Sequence, residues 1–237
     1  MRFPRPKEFE MAPTPLRYGI VAALATAAAV VVPATPALAA PSTTVTPAGH
    51  AFSASLVAGT TADFVVGSTT VACDTSSTAG AVPAEPGNAT ADGAVTSVIA
   101  PPSFSNAGGA CPTNIVFTTA TTTTNNDAGD WTIALQYDPA GSTGTLTIPT
   151  GGVVTTTAGL AACTIVVAPD APASVSGPWV PGTDTSLPVL DLSAGVEVPI
   201  AVSGGFGCPT AATAATFSAS YEIADTTDPA VQITVGP

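Results

Sequence analysis

The chain has 237 residues, 46 % of them hydrophobic and 8 % charged, and a formal net charge of −12. All four Lys and Arg residues fall at or before Arg17, so residues 40–237 hold one histidine, His50, and fourteen acids, the sixteen of the whole chain less Glu8 and Glu10. Without cations to displace the counterions of phosphates, this part excludes nucleic-acid binding, and an anionic membrane surface repels it.

The N-terminus reads as an export signal. Arg2, Arg5, Lys7 and Arg17 form a basic region, Gly19–Val32 (GIVAALATAAAVVV) is uncharged and apolar, and PATPALAA supplies an Ala37-x-Ala39 cleavage site. The expectation is a signal-peptide helix over 1–39, cut after Ala39, and a secreted, extracellular product. The apolar run is shorter than the ~20 residues that span a bilayer, which argues against a retained anchor. LPVLD is internal and is not LPxTG, so release is expected rather than sortase anchoring.

Beyond Ala40 the helix formers are sparse, and Thr, Val, Gly and Pro dominate. WTIALQYD puts Trp131, Ile133, Leu135 and Tyr137 on one face. VEVPIAV does so for Val196, Val198, Ile200 and Val202, TFSASYEI for Phe217, Ala219, Tyr221 and Ile223, and VQITV for Val231, Ile233 and Val235. Period-two alternation of this kind marks half-buried antiparallel strands. Turn-rich stretches such as VPAEPGNATADG and DPAGSTG separate the runs at the spacing of sandwiches. The fold class expected is all-β, an antiparallel β-sandwich of Ig-like or Greek-key character. Pro199 lacks an N–H for a ladder bond, so its strand is expected at a sheet edge.

GGACPT at Gly108–Thr113 returns as GFGCPT at Gly205–Thr210. Cys73 and Cys163, and Cys111 and Cys208, are offset by nearly the same interval. VVGSTTVAC and VVTTTAGLAAC lead into the first cysteine of each pair, and NIVFTT and TFSASYEI follow the second as apolar-alternating strands. This predicts two duplicated, disulfide-stapled β repeats, 40–139 and 140–237, with one continuous sandwich as the alternative. Of three possible pairings the repeat selects Cys73–Cys111 and Cys163–Cys208. In the chain-entropy picture each staple contributes about 4 kcal/mol. The cysteines are too widely spaced for a zinc site, and His50 is remote from all of them in sequence.

Catalytic patterns are weak. Asp74 and Asp184 each begin Asp-Thr-Ser, but they are not at equivalent places in the repeats, and turn chemistry explains them better than an aspartic-protease pair. His50 is the sole candidate base for a Ser-His-Asp triad, and there is no G-x-S-x-G elbow. Glu197 and Glu222 offer carboxylates for glycoside hydrolysis, whereas Trp131 and Trp179 read as core residues rather than sugar platforms. The loops Asn125–Asp130 and Ala224–Pro229 gather oxygen ligands that suit either calcium or a hairpin turn. Asn88–Thr90 is a formal glycosylation sequon. No catalytic, cofactor-binding or metal-binding residue is assigned, and no cofactor is expected.

The leader ending in ALA, the Thr/Ala/Val/Gly-rich remainder and the block GGFGCPTAATAATFSASYEI resemble an uncharacterised group of exported all-β proteins of high-GC Gram-positive bacteria. That resemblance implies secretion and a β fold, and it carries no activity with it. More loosely, an acidic secreted β protein with two disulfides resembles the neocarzinostatin-type apoproteins, which are shorter and hold an enediyne chromophore in a β-sandwich cleft. An immunoglobulin likeness is weaker, because the Cys163–Cys208 spacing around Trp179 is short and Phe206 stands where a corner tyrosine belongs. The function expected is that of a non-enzymatic structural or interaction protein, its partner unassigned and left open between a protein and a small apolar ligand. The alternative is a carrier of a small apolar ligand.

Overall fold

The computed structural model describes residues 40–107 and 109–237; the expected signal-peptide helix lies outside the described residues. Among these described residues twenty strands follow one another. They begin with β1 (Thr43–Thr46), β2 (Ala51–Leu56), β3 (Ala62–Val66), β4 (Thr69–Cys73) and β5 (Thr75–Ala81). Next come β6 (Ala89–Thr90), β7 (Val95–Ile99), β8 (Ser103–Ser105), β9 (Cys111–Pro112) and β10 (Thr118–Thr124). Across the chain midpoint run β11 (Trp131–Gln136), β12 (Thr143–Ile148), β13 (Val153–Gly159), β14 (Cys163–Val167) and β15 (Ala173–Val180). The last are β16 (Val189–Asp191), β17 (Val196–Gly204), β18 (Ala214–Ser218), β19 (Ser220–Asp225) and β20 (Thr234–Gly236). The class is all-β and antiparallel, as the alternation predicts.

Both large sheets curl until their edges meet. One runs β4-β3-β18-β17-β14-β13-β10-β9, and its ends are joined by the bridge Val71↔Thr113 and the disulfide Cys73–Cys111. The other runs β2-β19-β16-β15-β12-β11-β7-β5 and closes through β5 on β2, with β8 added beside β5. Closure pairs the strand edges that an open sheet would leave unsatisfied. A three-stranded sheet, β20-β1-β6, forms separately.

Each half supplies four neighbouring strands to each ring, β10, β9, β4 and β3 beside β18, β17, β14 and β13 in one and β11, β7, β5 and β2 beside β19, β16, β15 and β12 in the other, so both rings are shared between 40–139 and 140–237. The described residues form one compact unit. The sharing has a two-fold logic. Exchanging β2, β3, β4, β5, β7, β9, β10 and β11 with β12, β13, β14, β15, β16, β17, β18 and β19 maps each ring onto itself. The disulfides obey the same exchange, since Cys73–Cys111 ties β4 to β9, while Cys163–Cys208 ties β14 to the segment after β17. The chemistry does not repeat. On β3 and β18, Phe64 faces Phe217 with ring centroids 4.9 Å apart, whereas on β13 and β10 Thr155 faces Thr122 through a buried 3.0 Å hydroxyl bond.

The interior is one apolar cluster, because alternate side chains turn inward along strands that pass from ring to ring. Ala215, Phe217, Ala219, Tyr221 and Ile223 are all buried along β18 and β19. Two expectations are corrected. Pro199 is not at an edge, because β17 uses Val196–Pro199 to pair with β18 and Ile200–Gly204 to pair with β14. The proline sits where the strand changes partner and costs no ladder bond. NIVFTT does not open as a strand either: residues 114–117 turn, and β10 starts at Thr118.

Candidate functional site

The eight-stranded ring is built from four hairpins, β3–β4, β9–β10, β13–β14 and β17–β18. Because neighbouring strands are antiparallel all round the ring, the four turns fall at the same end. Residues 67–68, 113–117, 160–162 and 205–213 therefore share one rim. In ring order, the β17–β18, β13–β14 and β9–β10 loops are consecutive neighbours, and each presents an exposed apolar side chain. Phe206 is 100 % exposed, Leu160 stands on the middle loop, and Phe117 is 85 % exposed beside exposed Val116.

Local geometry fixes these side chains outward. Phe117 holds φ at +56°, a region costly for a bulky residue. A side chain on Gly159 would collide with the Phe117 carbonyl, so the glycine lets the β9–β10 turn settle onto the end of β13. Thr113 Oγ1 donates to the carbonyls of Ile115 and Thr118, and Asn114 Nδ2 donates to the Ser68 carbonyl at 2.7 Å, tying the loop to the β3–β4 turn. On the opposite side, the Cys163–Cys208 disulfide anchors the loop that carries Phe206.

The end is also free of charge. No acid occurs in residues 64–73, 93–126, 139–169 or 198–221. The two acids on strands of this ring, Asp63 and Glu197, are each the second residue of a strand that runs toward the turns, and so lie at the opposite end. The remaining acids belong to the nine-stranded ring and its connections.

That second ring encloses an apolar cavity of about 50 Å³, lined by Phe52, Ile133, Leu135, Trp179 and Leu190 and reached by Val45 and Ile233 of the three-stranded sheet region. Thr78, Ser97 and Tyr221 are the polar side chains of its lining; the Tyr221 hydroxyl lies 2.9 Å from Ser76 Oγ, and burial pushes the phenol up to about 12, against the lowering effect of the Ser76 bond.

The residues singled out from sequence are dispersed. Asp74 accepts from Thr75 Oγ1, Asp184 lies in the 183–186 turn, and Glu197 and Glu222 stand on strands of different rings. Trp131 and Trp179 are core, with Trp131 Nε1 donating to the Asn125 carbonyl at 2.8 Å. In the oxygen-rich loops, Asn125 Oδ1 accepts from the Asp127 N–H and Asp225 Oδ1 accepts from the N–H groups of Thr227 and Asp228, as turn residues do. No group of three or more His, Cys, Asp or Glu gathers among the described residues. Asn88 is buried, and its amide donates to the Val45 carbonyl, so the sequon is closed in the folded state.

The sequence reading missed two features. His50 Nδ1 lies 2.7 Å from Asp225 Oδ2 across 175 positions, so one carboxylate does have an internal cationic partner when His50 is protonated. The apolar rim was hidden because Val116 and Phe117 were read as part of a strand; the flanking Asn114 and the glycines around Phe206 were the available signals. Comparison with protein-family models, curated proteins and solved structures returns no match to this chain.

Proposed function

We propose that the chain is exported, cut after Ala39, and serves outside the cell as a non-enzymatic structural or interaction protein that engages its partner through the loop end of the eight-stranded ring. One observation carries this reading: the exposed Phe117, Leu160 and Phe206 gather on three adjacent loops at the acid-free end of an otherwise acidic molecule. Exposed apolar groups collected on neighbouring loops at one end of the fold, rather than scattered singly, suit an interaction site. The two disulfides suit an oxidising compartment. The two-fold exchange of strands supports internal duplication, and the Cys-Pro-Thr corners support kinship with exported proteins of high-GC Gram-positive bacteria. The test is retention on washed producing cells: Phe117→Ser with Phe206→Ser should shift the protein into the medium. Unchanged retention would defeat the reading.

A second reading, carriage of a small apolar ligand, has the nine-stranded ring in its favour. The cavity of about 50 Å³ is smaller than the ~150 Å³ that holds benzene in an engineered core, so the cargo would be only a few heavy atoms. Native mass spectrometry of protein from its own medium should then find bound mass; bare protein would remove this reading.

A further inference from the structure

We infer that the partner of the loop end is an uncharged lipid surface, into which Phe117, Leu160 and Phe206 insert. This rests on the reading of that end as the interaction site, and it adds the chemistry of what is bound.

Three observations point to lipid. The first is shape. The apolar groups are separate knobs on three loop tips, and none of them lines the apolar cavity of the nine-stranded ring. A rigid protein partner needs complementary holes, whereas an acyl layer closes around a projecting ring without them. The second is charge. Two copies, each with fourteen acids and one histidine, repel one another, while a zwitterionic surface does not. The acid-free rim lets the loops reach the headgroup layer with the carboxylates held back at the opposite end of this ring and on the other ring. There is no Lys or Arg to attract anionic headgroups, so the preference should run opposite to that of basic peripheral proteins. The third is strain. Phe117 is kept at positive φ with its ring in water, an arrangement that contributes nothing to folding and is explained by an external contact.

The polar neighbours fit the same picture. Thr113, Asn114, Ser68 and Thr210 stand on the same rim loops and carry no charge, which suits the zone between water and acyl chains better than charged residues would.

The test is flotation of the secreted protein with phosphatidylcholine vesicles, and with phosphatidylcholine mixed with phosphatidylglycerol. The expected result is binding to phosphatidylcholine, weakened by phosphatidylglycerol at low salt and restored by added salt. Phe117→Ser with Phe206→Ser should lower partitioning at least about tenfold, since each ring loses its apolar burial. Val98→Ser, on an exposed apolar residue of the nine-stranded ring, should bind as the parent. Phe206→Trp, which keeps an aromatic ring, should show a blue shift in emission with phosphatidylcholine. Absence of flotation, a preference for anionic vesicles, an unshifted Phe206→Trp spectrum or full binding by the serine pair would overturn the inference. So would concentration-dependent dimerisation that the serine pair abolishes, which would make the partner a second copy. If vesicles are ignored but the serine pair still releases protein from cells, the lipid assignment fails while the interaction site stands. If the serine pair changes neither assay, both fall.

Discussion

His50 Nδ1 lies 2.7 Å from Asp225 Oδ2, joining the start of β2 to the end of β19, and it is the single ion-pair contact among the described residues. Asp225 is buried, and that burial alone would raise its pKa. Hydrogen bonds from the Asp228 N–H, the His50 ring and the Thr227 N–H, with the attraction of a protonated His50, outweigh it and hold the carboxyl below its ordinary 3.8. A depressed folded pKa adds stability that is present above the unfolded value and is lost as pH falls through the folded one. The melting temperature should therefore hold or rise modestly from pH 7 to about 5 as repulsion among the acids eases, with the loss through Asp225 confined below pH 3.8. Asp225→Ala should cost about 2–4 kcal/mol by stranding its donors. A steep loss of melting temperature between pH 7 and 5 in the parent would contradict this.

Tyr221 gives the opposite pH edge. With its phenol raised to about 12 by burial, the folded state holds the proton more tightly than the unfolded chain, where tyrosine titrates at 10.0. Stability contributed by this group is present below pH 10 and is lost as pH climbs toward 12. Ultraviolet titration should show one phenolate forming only near the upper value. Tyr221→Phe leaves buried Ser76 without its partner and should cost roughly 1 kcal/mol; a neutral result would mean that water replaces the hydroxyl.

Phe117→Gly should stabilise the fold. The glycine accepts φ of +56° without penalty, and little burial is lost from a ring that is 85 % exposed. The gain expected is about 1 kcal/mol, or roughly 2–4 °C in melting temperature for a domain of this size. A drop instead would show that the Phe117 ring packs against the fold and is not held outward for a partner.

Single replacement of Cys111 or Cys208 by Ser should each cost roughly 2–5 kcal/mol and free the thiol of Cys73 or Cys163 respectively. The first opens the seam between β4 and β9. The second loosens the loop that carries Phe206, so it should also weaken cell retention. Peptide mapping of the parent that linked Cys73 to Cys163 would contradict both.

What could be read from the sequence was local or repeated. Trp131, Ile133 and Leu135 announce a strand by alternation alone, and the two Cys-Pro-Thr corners give the disulfide pairing, because both signals lie within a few residues. Ring closure was not legible: β3 pairs with β18 and β10 with β13 across the chain midpoint, and threonine on both sides offers no register code. Pro199 misled because a strand that changes neighbours midway has no signature in the residues themselves. The apolar rim escaped notice because Asn-Ile-Val-Phe satisfies strand propensity; only the closed ring decides that this segment must turn.

Hydroxyl-radical footprinting on the producing cells tests the central claim most directly, since it assumes no partner. Compared with the free protein, Phe117, Leu160 and Phe206 should lose reactivity on the cell surface, while Val98 and Val180 of the acidic ring, also exposed, should keep theirs. Protection of Val98 or Val180 with the three loop residues unchanged would place the contact on the other ring and contradict the account.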